Sequence, residues 1–478
     1  MPQHHRRRTR ILATLGPATD SDEALMALLR AGTDAVRINY SHGSHADQER
    51  RVRQVRAAAA EIDRDIAILA DLQGPKIRIE RFSEGPVTLH AGAAFCLDTA
   101  HPADAGNDTV VGCAYRDLPR DVAPGDALLL NDGAIRVEVK AVEGSRIETE
   151  VVIGGVLSDR KGINKAGGGL SAAALTDKDL EDLRHAASLD VDFVAVSFPR
   201  NADDMKHARN LLRAHNSHAA LIAKIERAEA LHALEEIAEA SDGLMIARGD
   251  LGVEIGDAEL PAWQKRITHV AREGNRLVIT ATQMMESMIS SPIPTRAEVL
   301  DVANAVMDGT DAVMLSAETA AGQHPSLVVE AMARVCAGAE AAMPEPRTRD
   351  RMDSHFVRTD EAVAMATIWT AQHMHANAIV ALTESGATAL MMSRSDTQIP
   401  IYALTQHERT RRRMRLCRGV FPCAFTPTDL DSGRPAQEAI ALLLSMGWLE
   451  NGDRVLLTKG DYNGPGGTNT MKIIPVDE

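Results

Sequence analysis

The chain has 478 residues, of which 45% are hydrophobic and 25% charged, and its formal net charge is −15. That length calls for two or three domains, and that balance belongs to a soluble globular protein, not to a disordered or membrane-embedded one. An acidic surface repels nucleic acid and anionic membrane, and no apolar run reaches the roughly 18 residues that a membrane span needs.

The basic stretch Met1–Arg10 lacks the apolar segment of a secretory signal, so a cytoplasmic protein is expected. Cys96, Cys113, Cys336, Cys417 and Cys423 form no C-x-x-C pair and read as reduced structural thiols. Two basic runs, Arg6-Arg7-Arg8 and Arg411-Arg412-Arg413, are expected to be solvated faces, the second in a domain where an anion site is also possible.

Taken in chain order, short β-branched runs alternate with amphipathic helical stretches. The strand candidates are Arg10–Leu15, Ala35–Tyr40, Ile66–Asp71, Val191–Phe198, Leu221–Glu226, Gly243–Arg248, Leu277–Thr282 and Ala312–Leu315. Helices are expected between them: one opened by Asp20 with Glu23 and closed by Gly32, others over Thr176–Ala187 and Asn201–Ala214. Eight strands separated by helices predict a parallel sheet closed into a (β/α)8 barrel, here residues 1–73 and 162–345.

Between the third and fourth strands, residues 74–161 break the rhythm. Turn signals at Ser83-Glu84-Gly85-Pro86, Ala123-Pro124-Gly125-Asp126, Asn131-Asp132-Gly133 and Glu143-Gly144-Ser145 separate alternating runs, which predicts a small all-β domain inserted in a βα loop. Gly167-Gly168-Gly169 leads the chain back to the barrel. After Pro344-Glu345-Pro346, a helix near Asp360–His375 and five strand candidates predict a C-terminal doubly wound α/β domain over residues 346–478.

Reactive side chains of such a barrel stand at the C-terminal ends of its strands, and side chains two residues apart on a strand point the same way. The second strand therefore presents Arg37, Asn39 and Ser41 together. The third ends Asp71-Leu72-Gln73, the fifth Lys224-Ile225-Glu226, the sixth Arg248-Gly249-Asp250 and the seventh Thr280-Ala281-Thr282. Glu226 and Asp250 are hard-oxygen ligands suited to Mg²⁺ or Mn²⁺, and two carboxylates leave coordination positions for substrate oxygens. Lys224 and Arg37 suit the charge that spreads over a phosphoryl group in transfer. Amides along Gly249-Asp250-Leu251-Gly252 suit a small carboxylate.

These segments resemble the pyruvate kinase family. The resemblance is carried by ILATLGP (Ile11–Pro17), RINYSH (Arg37–His42), DLQGPKIR (Asp71–Arg78), KIE (Lys224–Glu226), ARGDLGVE (Ala247–Glu254), ATQMMESM (Ala281–Met288) and DAVMLSAET (Asp311–Thr319), and it extends over nearly the whole chain. It implies transfer of a phosphoryl group from phosphoenolpyruvate to ADP. Arg37 would contact the substrate phosphate, and Lys224 would stabilise the phosphoryl group and the enolate oxygen. Glu226 and Asp250 would hold the metal, while Gly249, Asp250 and Thr282 would cradle the carboxylate. Arg78 and Lys161, with His42 nearby, would reach the nucleotide phosphates. Closure of the β insert would exclude water, and Thr282 with a water chain is a candidate for protonating the enolate.

Relatives that need K⁺ hold it with equivalents of Asn39, Ser41 and Asp71 plus a threonine, followed by GPEIR. Here the threonine position is Leu72, able to offer a backbone carbonyl, and Lys76 replaces the glutamate. A fixed ammonium near Asp71 would supply the charge of a monovalent ion, so K⁺ is expected not to be required. Lys165-Ala166-Gly167-Gly168-Gly169 departs from the more usual Leu-Pro-Gly, and Ala317 replaces a common glycine.

In the last domain, Thr383, Ser385, Gly386 and Thr388 join a strand end to a helix start as an anion-binding nest. The resemblance implies an allosteric sugar phosphate or AMP there, and a homotetramer. Two other readings share the barrel. A metal-dependent lyase of pyruvate or oxaloacetate would need neither the insert nor Arg78 and Lys161. A non-catalytic effector-binding paralogue would lack Lys224 or a metal carboxylate.

Overall fold

The structure, a computed structural model, describes residues 7–343, 356–395, 397–428, 434–460 and 466–477. Arg6 and the Pro344-Glu345-Pro346 boundary lie outside them. In chain order the first strands are β1 (Arg10–Thr14), β2 (Ala35–Asn39) and β3 (Ala67–Asp71). The insert follows with β4 (Val87–Leu89), β5 (Ala94–Asp98), β6 (Val110–Gly112), β7 (Ala127–Leu130), β8 (Ile135–Glu143), β9 (Arg146–Ile153), β10 (Gly155–Leu157) and β11 (Ile163–Lys165). Next come β12 (Phe193–Val196), β13 (Ala220–Ile225), β14 (Gly243–Ala247), β15 (Leu277–Ala281) and β16 (Ala312–Leu315). The last are β17 (Ala378–Leu382), β18 (Ile401–Thr405), β19 (Val420–Ala424), β20 (Arg454–Gly460) and β21 (Thr468–Pro475).

Strands β1, β2, β3 and β12 to β16 close into a barrel in that order, β16 returning to β1. The pairs β1/β2, β1/β16, β13/β14 and β15/β16 are parallel. Every residue of β1, β3, β14 and β15 is buried, which is why these strands read as continuous apolar runs and not as alternating ones. The chain divides into two compact units, Met1–Ala70 with Leu189–Phe193 and Ala271–Glu478, and Asp71–Ser188 with Val194–Val270.

Within the second unit, the insert forms a six-stranded sheet, β11-β7-β8-β9-β5-β6, and a two-stranded ribbon of β4 and β10. Its alternating strands turn Phe95, Leu97, Val137, Val139, Ile147 and Val151 into one core. Because β11 pairs with β7, the sheet of the insert runs through Lys165. Within the first unit, the C-terminal sheet has the order β19-β18-β17-β20-β21. Its winding starts at β17, moves out to β18 and β19, then reverses to β20, so a topological switch point lies beside β17.

The helix expected to open at Asp20 opens one residue later. Ser21 caps Asp22–Arg30 by accepting from the Ala24 amide, while Asp20 is taken by a bidentate pair with Arg51 at 2.8 and 3.1 Å. A serine hydroxyl reaches the third amide as well as a carboxylate does, which frees Asp20 for the guanidinium. Arg7, Arg8, Arg411 and Arg412 of the basic runs are engaged in ion pairs and hydrogen bonds and do not form solvated faces. Arg7 pairs with Asp34 at 2.8 Å, Arg8 reaches Glu340 and the Thr397 carbonyl, and Arg411 and Arg412 pair with Asp65 and Asp192. All five cysteines are free and buried.

Candidate active site

The second unit brings together the ends of β3, β12, β13 and β14. Asp71 closes β3 and is fully buried, Ser197 follows β12, Lys224 and Glu226 stand at the end of β13, and Gly249 and Asp250 lie in the first turn of the helix Arg248–Ile255. The Lys224 ammonium donates to Ser197 Oγ at 2.6 Å and lies 3.3 Å from Asp71 Oδ1 and 3.5 Å from Glu226 Oε2. Ser197 Oγ in turn donates to the Leu72 carbonyl at 2.7 Å, and Glu226 Oε1 accepts from the Phe198 amide at 2.8 Å.

The backbone at these strand ends is strained or crowded. Phe198 is left-handed with φ of 55°. Gly74 has φ of 68°, and a Cβ there would fall 2.6 Å from the Ser197 Cβ, so only glycine lets the chain leave β3 this close to Ser197.

The electrostatics of this cluster favour a cation. Burial pushes the Glu226 carboxyl up to about 7. The Lys224 ammonium pulls it back down, and the charges of Asp250 and Asp71 push it up again. One ammonium thus leaves a buried carboxyl near Asp71 and Asp250 short of positive charge, and a hard divalent ion on Glu226 and Asp250 fits that deficit. Among the described residues no group of three or more His, Cys, Asp or Glu forms a metal cage.

The structure corrects the expected place of Lys76. Its ammonium pairs with Asp250 Oδ1 at 3.0 Å and lies 3.9 Å from Asp132, not beside Asp71. The reason is local: Gly74 and Pro75 turn the chain out of β3, and the Asp71 carboxylate already faces Lys224. At the root of the insert, Arg78 bridges to Gly162 and donates to the Arg160 carbonyl at 2.9 Å, while the Ile79 amide donates to the Lys161 carbonyl. Arg78 and Lys161 are thereby placed on neighbouring backbone segments.

Within the first unit, Arg37 is half-buried on β2 and donates to Thr14 Oγ1 at 3.2 Å. Asn39 Oδ1 accepts from the Ser41 amide at 3.0 Å, and its carbonyl accepts from His42, whose side chain is exposed. Thr282 follows β15 with φ of 66° and is succeeded by Gln283 at 54°. A β-branched residue in the left-handed region costs on the order of 1–3 kcal/mol, the kind of strain that collects at functional sites.

At the C-terminal switch point, the Gly386 amide donates to Thr383 Oγ1 and the Ala387 amide to Ser385 Oγ. Thr388 Oγ1 meets Thr468 Oγ1 at 2.7 Å. This loop lines a pocket together with His407, Lys459 and Gly467.

Two participants escape sequence reasoning: the Ser197 hydroxyl and the Phe198 amide. The fourth strand end carried a signal that was available, since the rule that puts polar residues at strand ends applies to Ser197 as it does to Lys224.

A parallel barrel that gathers carboxylates around one lysine at its strand ends, beside a β insert with Arg78 and Lys161 on adjoining segments at its root, has the layout of a barrel enzyme for anionic substrates. Comparison with known proteins narrows the class. The family model for the pyruvate kinase barrel domain matches residues 6–329, and that for the pyruvate kinase alpha/beta domain matches residues 361–474. Pyruvate kinase II of Salmonella typhimurium is 52% identical over 476 residues, covering 98% of this chain and 99% of that protein. The pyruvate kinase of Haemophilus influenzae is 49% identical, covering 97% of each. The crystal structure of a pyruvate kinase from Cryptosporidium parvum superposes with a TM-score of 0.93 at 32% identity, covering 99% of this chain and 97% of that one. The chain belongs to the pyruvate kinase family, a family of phosphotransferases.

Proposed function

We propose that the strand-end cluster of this chain carries out phosphoryl transfer from phosphoenolpyruvate to ADP, with the division of labour set out below. The P–O bond to the enolate oxygen breaks, a terminal oxygen of the ADP β-phosphate forms the new P–O bond, and a proton added to the enolate methylene carbon completes pyruvate. Lys224 stabilises the transferring phosphoryl group and the enolate oxygen, and Arg37 holds the substrate phosphate. Gly249, Asp250 and Thr282 orient the carboxylate, and Thr282 relays the proton through water. Arg78, Lys161 and His42 take the nucleotide phosphates.

The family's dependence on divalent metal applies here, and Glu226 and Asp250 are the residues that would hold Mg²⁺ or Mn²⁺. When bound, such an ion would supply positive charge to the phosphoryl group in transfer. Residues 1–73 with 162–345 serve as the catalytic barrel, 74–161 as a lid that excludes water, and 346–478 as a regulatory domain. The observation that carries the reading is the Lys224 ammonium held between Ser197, Asp71 and Glu226.

Lys76 adds a second fixed cation to the same acid cluster, now through Asp250, and supports a reaction without K⁺. The pocket at Thr383, Ser385, Gly386 and Thr388 binds a phosphorylated effector, a sugar phosphate or AMP, in a cytoplasmic homotetramer. Among the described residues no helix is long and apolar enough to cross a membrane.

The test is pyruvate formation from phosphoenolpyruvate and ADP with Mg²⁺, with and without K⁺, beside Lys224→Met. Turnover in both salts, lost in the variant, is expected. Turnover only with K⁺ would remove the Lys76 reading, and none in either salt would return the lyase.

A further inference from the structure

The stretch by which the chain returns from the insert has almost no stiffness of its own. Gly167, Gly168 and Gly169 are all left-handed, with φ of 81°, 79° and 99°, and three successive glycines have no Cβ to restrict them. Their order is supplied from outside. The Gly167 amide donates to the Glu254 carbonyl at 2.9 Å, the Gly168 amide to the Lys165 carbonyl at 3.0 Å, and the Gly169 amide to Glu229 Oε1. On one side, Asn164 Nδ2 reaches Glu254 Oε1 at 3.4 Å; on the other, Arg227 donates to the Leu170 and Ala172 carbonyls, both at 3.3 Å. The two anchoring segments are tied to each other by the Ala228 amide on Glu254 Oε2 at 2.9 Å.

The fit at the centre is close. A Cβ on Gly168 would fall 2.8 Å from Glu229 Oε2, an oxygen that is itself buried without a hydrogen-bond partner among the described residues. Glu229 stands three residues beyond Glu226, and Glu254 four beyond Asp250. The segments that grip the return are the same two that present the carboxylates assigned to the metal.

We propose that Glu229, seated on Gly168 and bonded to Gly169, is a positioning residue that sets the rest angle of the lid and couples it to the Glu226 and Asp250 segments. This rests on the reading of residues 74–161 as a lid carrying the nucleotide contacts Arg78 and Lys161. Hinges of this kind absorb large backbone changes at a few residues far from the chemistry, and a carboxylate clamp restricts that freedom with a charge-assisted hydrogen bond. The clamp acts on where the lid stands, so its loss falls on the nucleotide first.

The experiment compares Glu229→Ala, Glu229→Gln, Gly168→Ala and the double variant Gly168→Ala/Glu229→Ala in the full chain. Steady-state constants are measured for both substrates, with hydrogen–deuterium exchange of the peptide covering residues 163–172. In Glu229→Ala, KM for ADP is expected to rise about tenfold, the worth of one charge-assisted hydrogen bond. KM for phosphoenolpyruvate should stay within about twofold on the same arithmetic, and exchange at the glycines should quicken. Glu229→Gln keeps the accepting oxygen and restores most of the loss. Gly168→Ala at φ of 79° also strains its own backbone, so the double variant is expected to match Gly168→Ala alone, with Glu229→Ala adding nothing once the contact is gone.

Additive losses, an unchanged exchange rate, or equal damage to both KM values would overturn the proposal. If Gly168→Ala does not fold, Glu229→Ala against Glu229→Gln decides by exchange and the KM split. If the unaltered protein showed no ADP-dependent turnover, the reading of the reaction would fall, while exchange would still report on the clamp.

Discussion

Ser197→Ala isolates the one hydroxyl that the structure places between Lys224 and the end of β3. Ser197 Oγ accepts from Lys224 at 2.6 Å and donates to the Leu72 carbonyl at 2.7 Å, so the substitution takes one acceptor from the ammonium and one donor from the carbonyl. A hydrogen bond to a charged group in a buried site contributes about 1.5–3 kcal/mol, and the ammonium that loses it is the group proposed to meet the developing charge. If that loss falls on the transition state, kcat drops by roughly 10- to 150-fold, since each 1.36 kcal/mol is about tenfold. KM for phosphoenolpyruvate should move little, because the assigned phosphate and carboxylate contacts remain. The assay is pyruvate formation at saturating substrates, with KM for phosphoenolpyruvate read from the same titrations. A kcat within about twofold of the unaltered protein, or a loss carried by KM with kcat unchanged, would refute the placement of Ser197 as the lysine's support.

Reversing charge with Lys76→Glu sets a carboxylate against Asp250 and should cut the rate without K⁺ by about tenfold or more, with K⁺ restoring it; equal rates in both salts would sink the idea. Burial pushes the Glu254 carboxyl from its ordinary value near 4.5 up to about 7. The folded state then holds a proton that the unfolded state has released, and stability falls as pH rises from about 4.5 to about 7 by roughly 3 kcal/mol, flat above. Glu254→Gln should flatten that slope in thermal melts of the metal-free protein, and an unchanged slope would assign it elsewhere. In the C-terminal pocket, Ser385→Glu adds a negative charge at an exposed nest position and should weaken activation by AMP or a sugar phosphate about tenfold without touching basal rate. Activation of the variant at the unaltered concentration would move the effector away from this loop.

The barrel was legible because its strands are buried on both faces, which forces runs such as Ile66–Asp71 and Gly243–Arg248 to be apolar until the last residues, where polar groups reappear. The same contrast marked Asp71, Lys224, Glu226 and Asp250. Side-chain reach was harder to read. Lys76 has four methylenes and follows a Gly-Pro turn, so its sequence distance from Asp71 said nothing about which carboxylate it would meet, and it meets Asp250. Ser197 was overlooked because a serine after an apolar strand is an ordinary way to end it. Only the closing of β12 beside β13 brings its hydroxyl within reach of the Lys224 ammonium. Arg411 and Arg412 looked like a solvated run because charge patterning alone does not show that Asp65 and Asp192, more than 200 residues earlier in the chain, stand opposite.

Charge balance at the strand ends links these particulars. Asp71, Glu226 and Asp250 bring three carboxylates toward two lysines, and Lys224 and Lys76 divide the work: one sits between Asp71 and Glu226, the other on Asp250. A mouth neutralised by fixed ammoniums alone would have no call for a metal. One with no ammonium would repel phosphoenolpyruvate and ADP, both anions. Burial and the neighbouring carboxylates leave the Glu226 carboxyl pushed up to about 7 despite Lys224, a position that added positive charge would relieve. A divalent ion held by Glu226 and Asp250, as proposed, would meet an Asp250 carboxylate that already carries Lys76, so Lys76→Glu and the proposed metal act on the same group.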